Sequence, residues 1–424
     1  MMFSVTPGKI LYISYDGMTD PLGQSQVLPY LCGLSEKGYH IHLISAEKAN
    51  RFSEYSVLIQ NICDEFKIQW HPVQYTKKPP IISTLFDIWK IKSKAVTLQT
   101  QINFDLIHCR SYIPSFIGLV YKKQFKIPYI FDMRGFWIDE KIDGNIWNLN
   151  NPIFKLVFKF MKRKEKVFFS ISDRIISLTQ KAIPTINKIV DKGDLSSKIV
   201  VIPCCVDVNH FTREKIQEFE IENWNSKLNL EPSNYIIAYL GSLSTWYLPE
   251  EMLRFFLRFK MKVPHAKFLI ITTEEAQPFI KMAEKIGVPL DSLIFTSSNR
   301  NDLPALLSIC NTSLFFIKPA FSKIASSPTK LGELLSMGIP VICNTGIGDT
   351  DEMIRSSQSG VICKSFDEKE YDRCSEEILN LEKTLDKEFT RRKAIELFSL
   401  ENGVNCYHSI YQDLIAKNDD KVHS

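Results

Sequence analysis

The sequence lacks long apolar runs, paired cysteine motifs and a signal for export. No stretch approaches the roughly 18 apolar residues of a membrane-spanning helix, and none of the ten cysteines forms a Cys-x-x-Cys pair. The segment Met1 to Lys9 has neither the basic start nor the apolar core of a signal peptide. We therefore expect no structural zinc site and no disulfide framework. We expect a cytoplasmic protein, either free or held at the inner face of a membrane.

The chain also lacks a strong excess of charge of either sign. Lys and Arg number 52 and Asp and Glu 48, which gives a net charge of +4. This excess is too small to indicate a nucleic-acid partner. The 45% of hydrophobic and 24% of charged residues are typical of a globular protein. A chain of 424 residues is too long for one ordinary core, so we expect two domains of about 200 residues each.

Short apolar strands alternate with helical stretches along the chain. The predicted strands are 9–16, 39–46, 68–75, 104–109, 129–133, 174–179, 198–203, 235–242, 267–273, 292–296, 312–318, 340–344 and 360–363. This alternation predicts an α/β protein with parallel, doubly wound sheets. The predicted domains are an N-terminal Rossmann-like domain (1–210), a linker (211–233), a C-terminal Rossmann-like domain (234–398), a helix (399–416) and a polar tail (417–424).

The segment from Ser326 to Asp349 has the pattern loop, helix, strand, loop. We predict Ser327 as the helix N-cap and Pro328 as the first helical residue, with Gly338 ending the helix. Three leucines at helical spacing would face the core, which leaves the side chains at the helix start on its open side: Thr329, Lys330 and Glu333. Helix N-termini bind anions, Lys330 adds a charge, and Glu333 can accept hydrogen bonds from ribose hydroxyls. The alternative is a capped surface helix without a ligand.

This segment resembles the C-terminal signature of family 4 glycosyltransferases of the GT-B fold, which are retaining and depend on a nucleotide-sugar. The resemblance implies two facing Rossmann-like domains with parallel sheets and a C-terminal helix that crosses back to the N-terminal domain. In the family's Glu-x7-Glu segment the later Glu, here Glu333, holds the ribose of the donor. The earlier position is Ala325, so a carboxylate that contacts the donor sugar is missing, and backbone amides of Ser326 and Ser327 could replace it.

The resemblance also implies a diphosphate site after the first strand of the C-terminal domain. Relatives carry a basic pair there, whereas this chain has Gly241 and Ser242 followed by no cation. The positive charge would then come from Lys330, Lys323 or Arg134. The segment of Asn299 and Arg300 lies where relatives contact the base. We interpret the Asp349-Thr350-Asp351 motif as helix capping, so no metal and no cofactor other than the nucleotide-sugar co-substrate is expected.

In the N-terminal domain, two segments follow predicted strands and would lie at the carboxyl edge of the sheet. The first contains Gly17, Gly23 and Gln24, and it lacks the Gly-x-Gly-x-x-Gly fingerprint of dinucleotide sites. The resemblance places it near the donor phosphates and the acceptor; a plain turn is the alternative.

The second of these segments contains Asp132 and Arg134. Arg134 could clamp phosphate, and Asp132 could orient it or accept a proton from the acceptor. His108, which ends another strand, is either a site residue or a structural one.

Two stretches, 77–94 and 153–169, are both basic and apolar. Such helices can lie on an anionic membrane surface, although a core-facing helix with a solvated charged face has the same composition.

Together these features predict a hexosyltransferase that moves a sugar from a nucleotide-sugar to a glycan or lipid-linked acceptor. The expected setting is surface polysaccharide or lipopolysaccharide assembly, by analogy with the family. Lys330, Arg134 and Asp132 are the predicted catalytic residues. The alternatives are a nucleotide-sugar epimerase of the same fold and a non-catalytic partner subunit that binds nucleotide-sugar.

Overall fold

The computed structural model describes residues 8–191, 193–243 and 246–422. The protein forms two compact units, each built around a parallel sheet with helices between the strands. The first unit runs to Pro203 and also contains the chain from Leu400 onward, and the second unit is Cys204–Ser399. Both units are Rossmann-like, as the alternation of strands and helices predicted.

The strands of the first sheet follow the order β3-β2-β1-β4-β5-β6-β7. They are β1 (Lys9–Ser14), β2 (His40–Glu47), β3 (Gln69–Gln74), β4 (Leu106–Arg110), β5 (Tyr129–Asp132), β6 (Arg174–Ser177) and β7 (Ile199–Val201). The helices of this unit are α1 (Pro21–Gln26), α2 (Leu28–Glu36), α3 (Ala49–Glu65), α4 (Ile82–Ile102), α5 (Tyr112–Val120), α6 (Trp137–Asp143), α7 (Pro152–Ile171), α8 (Ile183–Val190) and α17 (Leu400–Val422). The strand order reverses between β1 and β4, and the carboxyl ends at such a switch point are where ligands bind in open α/β sheets.

The second sheet follows the order β10-β9-β8-β11-β12-β13. Its strands are β8 (Tyr235–Leu240), β9 (Ala266–Ile271), β10 (Leu293–Thr296), β11 (Thr312–Phe315), β12 (Val341–Asn344) and β13 (Gly360–Cys363). The helices of this unit are α9 (Glu218–Lys227), α10 (Pro249–Lys262), α11 (Gln277–Ile286), α12 (Leu303–Ser308), α13 (Thr329–Ser336), α14 (Thr350–Ser357), α15 (Glu368–Thr384) and α16 (Lys387–Phe398). Here the switch point lies between β8 and β11.

The central strands are buried because helices cover both faces of each sheet. Ile10, Leu11 and Ile13 of β1 are fully buried, and so are Ile237 and Ala238 of β8. Near-continuous apolar strands of this kind are typical of parallel sheets.

The last helix, α17, packs within the first unit. Gly33 of α2 lets it approach closely, because a Cβ there would lie 2.8 Å from a methyl carbon of Val404. The Tyr411 hydroxyl of α17 is 2.7 Å from Nδ1 of His108, which lies in the middle of β4 and not at the end of a strand as predicted. The helix continues to Val422, past the point where the sequence predicted a polar tail. The predicted linker, 211–233, lies inside the second unit and forms α9.

None of the helices in the described ranges has both the length and the apolar character needed to cross a membrane. The expectation about Met1 to Lys9 falls largely outside the described residues, as do Ser244 and Thr245 of the loop after β8.

Candidate functional site

Helix α13 ends as the sequence predicted, but it begins one residue later than predicted. Pro328, and not Ser327, occupies the N-cap position, and the Ser327 hydroxyl instead accepts a hydrogen bond of 3.2 Å from the Cys204 amide. The prediction of Ser327 as N-cap was therefore wrong, because a partner distant in sequence holds the hydroxyl. At the other end the N–H groups of Gly338 and Ile339 donate to the carbonyls of Leu335 and Leu334, respectively. Gly338 has φ +65°, which this termination requires.

The leucines of α13 are buried as predicted, but the opposite side of the helix is not open. Lys330 is 8% and Glu333 7% exposed, although the sequence predicted them on an accessible face. Phe398 and Val206 pack against the helix at Gly332, where a Cβ would lie 3.0 Å from the Phe398 ring and 3.2 Å from Val206. Lys330 and Glu333 are covered by other residues, namely aromatic rings around Lys330 and Arg300 beside Glu333.

The ammonium group of Lys330 is enclosed by aromatic rings beneath the end of β8. Its Nζ lies 3.9 Å from the ring centre of Tyr247, 4.4 Å from that of Tyr239 and 5.6 Å from that of Phe315. A Cβ at Gly241 would lie 3.0 Å from this nitrogen, and Gly241 has φ +124°. Within the described residues Nζ is buried and has no hydrogen-bond partner. A cation without a hydrogen bond thus faces the backbone of Gly241 at the switch point of the second sheet.

Burial lowers the pKa of Lys330 from its usual 10.5 to about 7, because desolvation disfavours the charged form. The nearby Glu333 acts in the opposite direction but does not compensate. Cation–π contacts are worth about 0.5–2 kcal/mol each, and here they do not replace the lost hydration. An anion placed over Gly241 would restore the charged form.

Glu333 is paired with Arg300 within the same unit. Arg300 donates from Nη1 to Oε1 of Glu333 at 3.3 Å, and its carbonyl lies 2.8 Å from Nε2 of His210. Burial raises the pKa of Glu333, and Arg300 opposes the shift. The structure therefore brings Lys330, a predicted catalytic residue, together with three predicted donor-binding residues, namely Glu333, Arg300 and Gly241. Thr329 is half-buried at the first turn of the helix.

Other predicted donor-site residues have local partners. The Lys323 ammonium lies 3.6 Å from the ring centre of Trp246. Ser242 bonds through its hydroxyl to Glu274 at 2.5 Å and accepts from the Tyr239 hydroxyl through its carbonyl. The Asn299 amide donates to Asp302 at 2.7 Å, ahead of α12. Ala325, at the position of the missing carboxylate, is fully buried.

The Asp349-Thr350-Asp351 motif lies at the start of α14, as the capping interpretation required. Asp349 is the N-cap residue, but its side chain makes no capping hydrogen bond. Asp351 accepts a hydrogen bond of 2.6 Å from the Thr345 hydroxyl and lies 3.7 Å from Arg355. The position of the motif was predicted, and the capping bond was not found.

In the first unit a buried carboxylate, Asp132, gathers polar side chains at the end of β5. The Tyr407 hydroxyl donates to its Oδ2 at 3.0 Å, and Nε2 of His108 lies 3.4 Å from the same oxygen. Arg134 lies 3.9 Å from Oδ1 and donates to the side-chain oxygen of Gln26 at 3.4 Å. Burial acts to raise the pKa of Asp132, but Arg134, His108 and Arg110 outweigh it and the net shift is downward. Asp132 is thus held ionised, which suits orienting a cation better than accepting a proton.

The predicted glycine loop after β1 is closed by its own packing. A Cβ on Gly23 would lie 2.2 Å from the Gly17 carbonyl oxygen, so the two glycines permit close approach and not unusual dihedral angles. The Gln24 amide donates to the Thr19 carbonyl at 3.2 Å. Buried Glu47 of β2 holds the loop, accepting from the amides of Met18 at 2.7 Å and Thr19 at 3.1 Å.

Sequence reasoning missed several of these residues. Glu47 and Arg110 both end buried strands, and a charged residue at such a position was an available signal. Arg110 is 3.4 Å from Asp16 in the loop after β1. The rings around Lys330 gave no such signal, because they come from separate elements whose meeting depends on the folded sheet.

Each unit thus has a Rossmann-like parallel sheet with charged side chains near the carboxyl ends of its strands. Two Rossmann-like domains in one chain are the architecture of the GT-B fold. Residues 220–394 match the family model "Glycosyl transferases group 1", and residues 25–210 match the model "Glycosyltransferase Family 4". The chain is a glycosyltransferase of the GT-B type. No curated protein sequence gives a significant match.

Solved structures share this fold at low sequence identity. A glycosyltransferase from Rickettsia africae has a TM-score of 0.70 and 16% identity, with 97% of this chain and 99% of that chain covered. Anabaena Alr3699/HepE in complex with UDP-glucose has a TM-score of 0.67 and 13% identity, with 97% and 100% covered. WaaG, described as involved in lipopolysaccharide biosynthesis, has a TM-score of 0.63 and 13% identity, with 93% and 97% covered.

The role of Glu47 predicts that Glu47→Gln weakens the first unit. Each carboxylate oxygen accepts two hydrogen bonds, since the Ser45 and Thr19 hydroxyls donate at 2.5 Å besides the two amides. The NH2 group of glutamine would face donors, and we expect the free energy of unfolding to fall by about 1–3 kcal/mol. Urea denaturation measures this. Glu54→Gln on the exposed side of α3 is the control, and equal stability of the two variants would contradict the assignment.

The state of Lys330 predicts that binding of an anion beside it, such as a nucleoside diphosphate, takes up a proton. Lys330 in the free protein is partly neutral above about pH 7 and would be charged with an anion beside it, so the affinity for the anion should fall as the pH rises through about 7 to 8. The unliganded protein should instead become more stable over this range, because the unfolded state binds more protons. Titration calorimetry in buffers of different ionisation enthalpy measures the uptake. Lys330→Arg, which stays charged, should bind without it; equal uptake by this variant would contradict the role of Lys330.

Proposed function

We propose that the protein is a retaining glycosyltransferase that uses a nucleoside-diphosphate sugar. The observation that carries the proposal is the buried ammonium of Lys330, which has no hydrogen-bond partner in the part of the chain that the structure describes and faces Gly241 at the switch point of the second sheet. A site of this kind favours an anion, and the ligand of such a switch point lies across the carboxyl ends of the strands. The diphosphate of the donor supplies the negatively charged partner for the Lys330 ammonium.

The donor is held by the second unit in this proposal. The diphosphate lies over Gly241, whose missing side chain leaves room for it, and Thr329 and Ser327 border it at the start of α13. Glu333 accepts from the ribose hydroxyls, sharing its carboxylate with Arg300. Crystals of HepE with UDP-glucose support a nucleotide-sugar as the ligand class.

The acceptor side is assigned to the first unit. Asp132 orients Arg134, and the loop fixed by Glu47 forms the neighbouring wall of the edge. We propose a glycan or lipid-linked acceptor in surface polysaccharide or lipopolysaccharide assembly, a setting that the likeness to WaaG supports.

The reaction breaks the bond between the anomeric carbon and the diphosphate oxygen and forms a bond from that carbon to the acceptor oxygen. The acceptor proton passes to the departing phosphate oxygen, so no side-chain nucleophile is needed. Lys330 stabilises the charge that develops on the leaving group, an effect of the kind that contributes about 100-fold or more to rate. We propose that the step needs no metal ion.

Lys330→Ala should reduce transfer about 100-fold while the thermal unfolding temperature is kept or rises, because a desolvated cation is removed. Transfer from a panel of nucleotide-sugars to a lipid-linked oligosaccharide fraction is the assay, and Lys285→Ala on the exposed side of α11 is the matched control. Unchanged turnover would remove Lys330 from the mechanism. Donor binding by the wild-type protein without any turnover would favour a non-catalytic partner subunit.

A further inference from the structure

The first turns of α4 and α7 carry large apolar side chains that face solvent. Each of these side chains is between 46% and 69% exposed: Ile82, Leu85, Phe86 and Trp89 on α4, and Ile153, Leu156 and Phe160 on α7. On α4 they follow the i, i+3, i+4, i+7 spacing of a single helical stripe. The core-facing stripes of both helices consist of other residues, so packing inside the unit does not explain these two.

The two exposed stripes lie on the same face and at the same edge of the first unit. α4 joins β3 to β4 and α7 follows β5, so both crossovers run in the same direction across the sheet and lie on one face. Phe116 of α5, which lies between them, stacks on Phe160 at 6.2 Å. α4 follows the end of β3, and α7 ends at Ile171, just before β6 begins at Arg174. Both helices therefore run from the carboxyl edge of the sheet, which also carries Asp132 and Arg134, back to the start of the next strand. We call these two stripes the α4/α7 surface.

The exposed charges that α4 and α7 themselves carry are all positive, although Asp139 of α6 pairs with Lys162 at 3.0 Å and Asp191 with Lys166 at 2.8 Å. α4 contains three lysines and α7 contains six lysines and arginines, whereas the single acid of each helix, Asp87 or Glu165, is fully buried. Lys155, Lys159 and Arg163 have no acidic partner among the described residues. Basic side chains around exposed aromatic and aliphatic groups match the headgroups and upper acyl chains of an anionic bilayer.

A buried contact fixes α4 to the edge of the site. Asp87 accepts hydrogen bonds of 2.9 Å from the Tyr15 hydroxyl and 3.0 Å from the Thr76 amide, and it pairs with Lys90 at 2.8 Å. Tyr15 belongs to the loop between β1 and α1. The exposed turn of α4 is therefore held rigidly beside the loop that borders the proposed acceptor site.

We propose that the α4/α7 surface docks the protein on an anionic lipid bilayer, with the carboxyl edge of the first sheet at the headgroups. This inference rests on the proposed function, because docking on a bilayer serves a transferase whose acceptor is linked to a lipid. A second copy of the chain is the rival occupant, but a symmetric contact would bring two basic surfaces together. A bilayer supplies both the opposite charge and the apolar layer.

The test is flotation of the full chain with phosphatidylcholine vesicles with or without about 30 mol% phosphatidylglycerol. We expect the wild-type protein to bind only the anionic vesicles, and the double substitution Leu85→Glu/Trp89→Glu to reduce binding about tenfold or more. The matched control is Val57→Glu/Leu58→Glu on α3, where both residues are exposed but the helix lies on the opposite face of the sheet. A triple substitution, Lys155→Gln/Lys159→Gln/Arg163→Gln, tests the charge contribution separately.

Failure of the wild-type protein to float, or equal flotation of the α4 variant, would overturn the proposal. Light scattering that shows a wild-type dimer and a monomeric α4 variant would overturn it in favour of self-association. Donor binding and transfer to a water-soluble acceptor should be unchanged in the α4 variant. These two readouts separate the proposals, because flotation can succeed when donor binding fails and the reverse.

Discussion

The desolvated ammonium of Lys330 is the interaction on which the second unit's site depends. Removing a cation from water without giving it a hydrogen bond is unfavourable, and the fold holds it there through several independent features. The buried leucines of α13 fix the helix, and Gly332 allows Phe398 and Val206 to pack closely against it. Gly241 has no side chain, whereas a Cβ at this position would lie 3.0 Å from the Lys330 nitrogen. Among the described residues the ammonium is surrounded by aromatic rings and the backbone of Gly241, and the partner that we propose for it is an anionic ligand.

In the first unit, by contrast, the buried charged groups are carboxylates, and they accept hydrogen bonds from several donors. Glu47 gathers the loop after β1, and Asp132 gathers a tyrosine, a histidine and an arginine from separate elements. His108 is satisfied by Tyr411 of the last helix, which supports a structural role for it. These hydrogen bonds organise the carboxyl edge of the first sheet before any ligand binds, and such preorganisation reduces the entropy lost on binding.

The strands could be read from the sequence because parallel strands are short apolar runs bounded by turn residues. β13 was predicted with the bounds that it has, and most of the others agree within two residues. The chemistry at the ends of the strands was less accessible. The burial of Lys330 depends on Tyr247 and on rings from β8 and β11. The capping prediction for Ser327 failed because its hydroxyl accepts a hydrogen bond from the Cys204 amide. These contacts join residues far apart in the chain, and local patterns do not encode them.

The most direct test of the central claim is a thermal-shift screen of the wild-type protein and Lys330→Met against UDP, GDP, ADP and CMP and their sugar conjugates. A ligand that binds the native state raises the unfolding temperature. The account predicts that one nucleoside diphosphate and its sugar conjugates stabilise the wild-type protein selectively and lose most of that effect in the variant. No shift with any nucleotide, or equal shifts in both proteins, would contradict the assignment of Lys330 to the donor diphosphate.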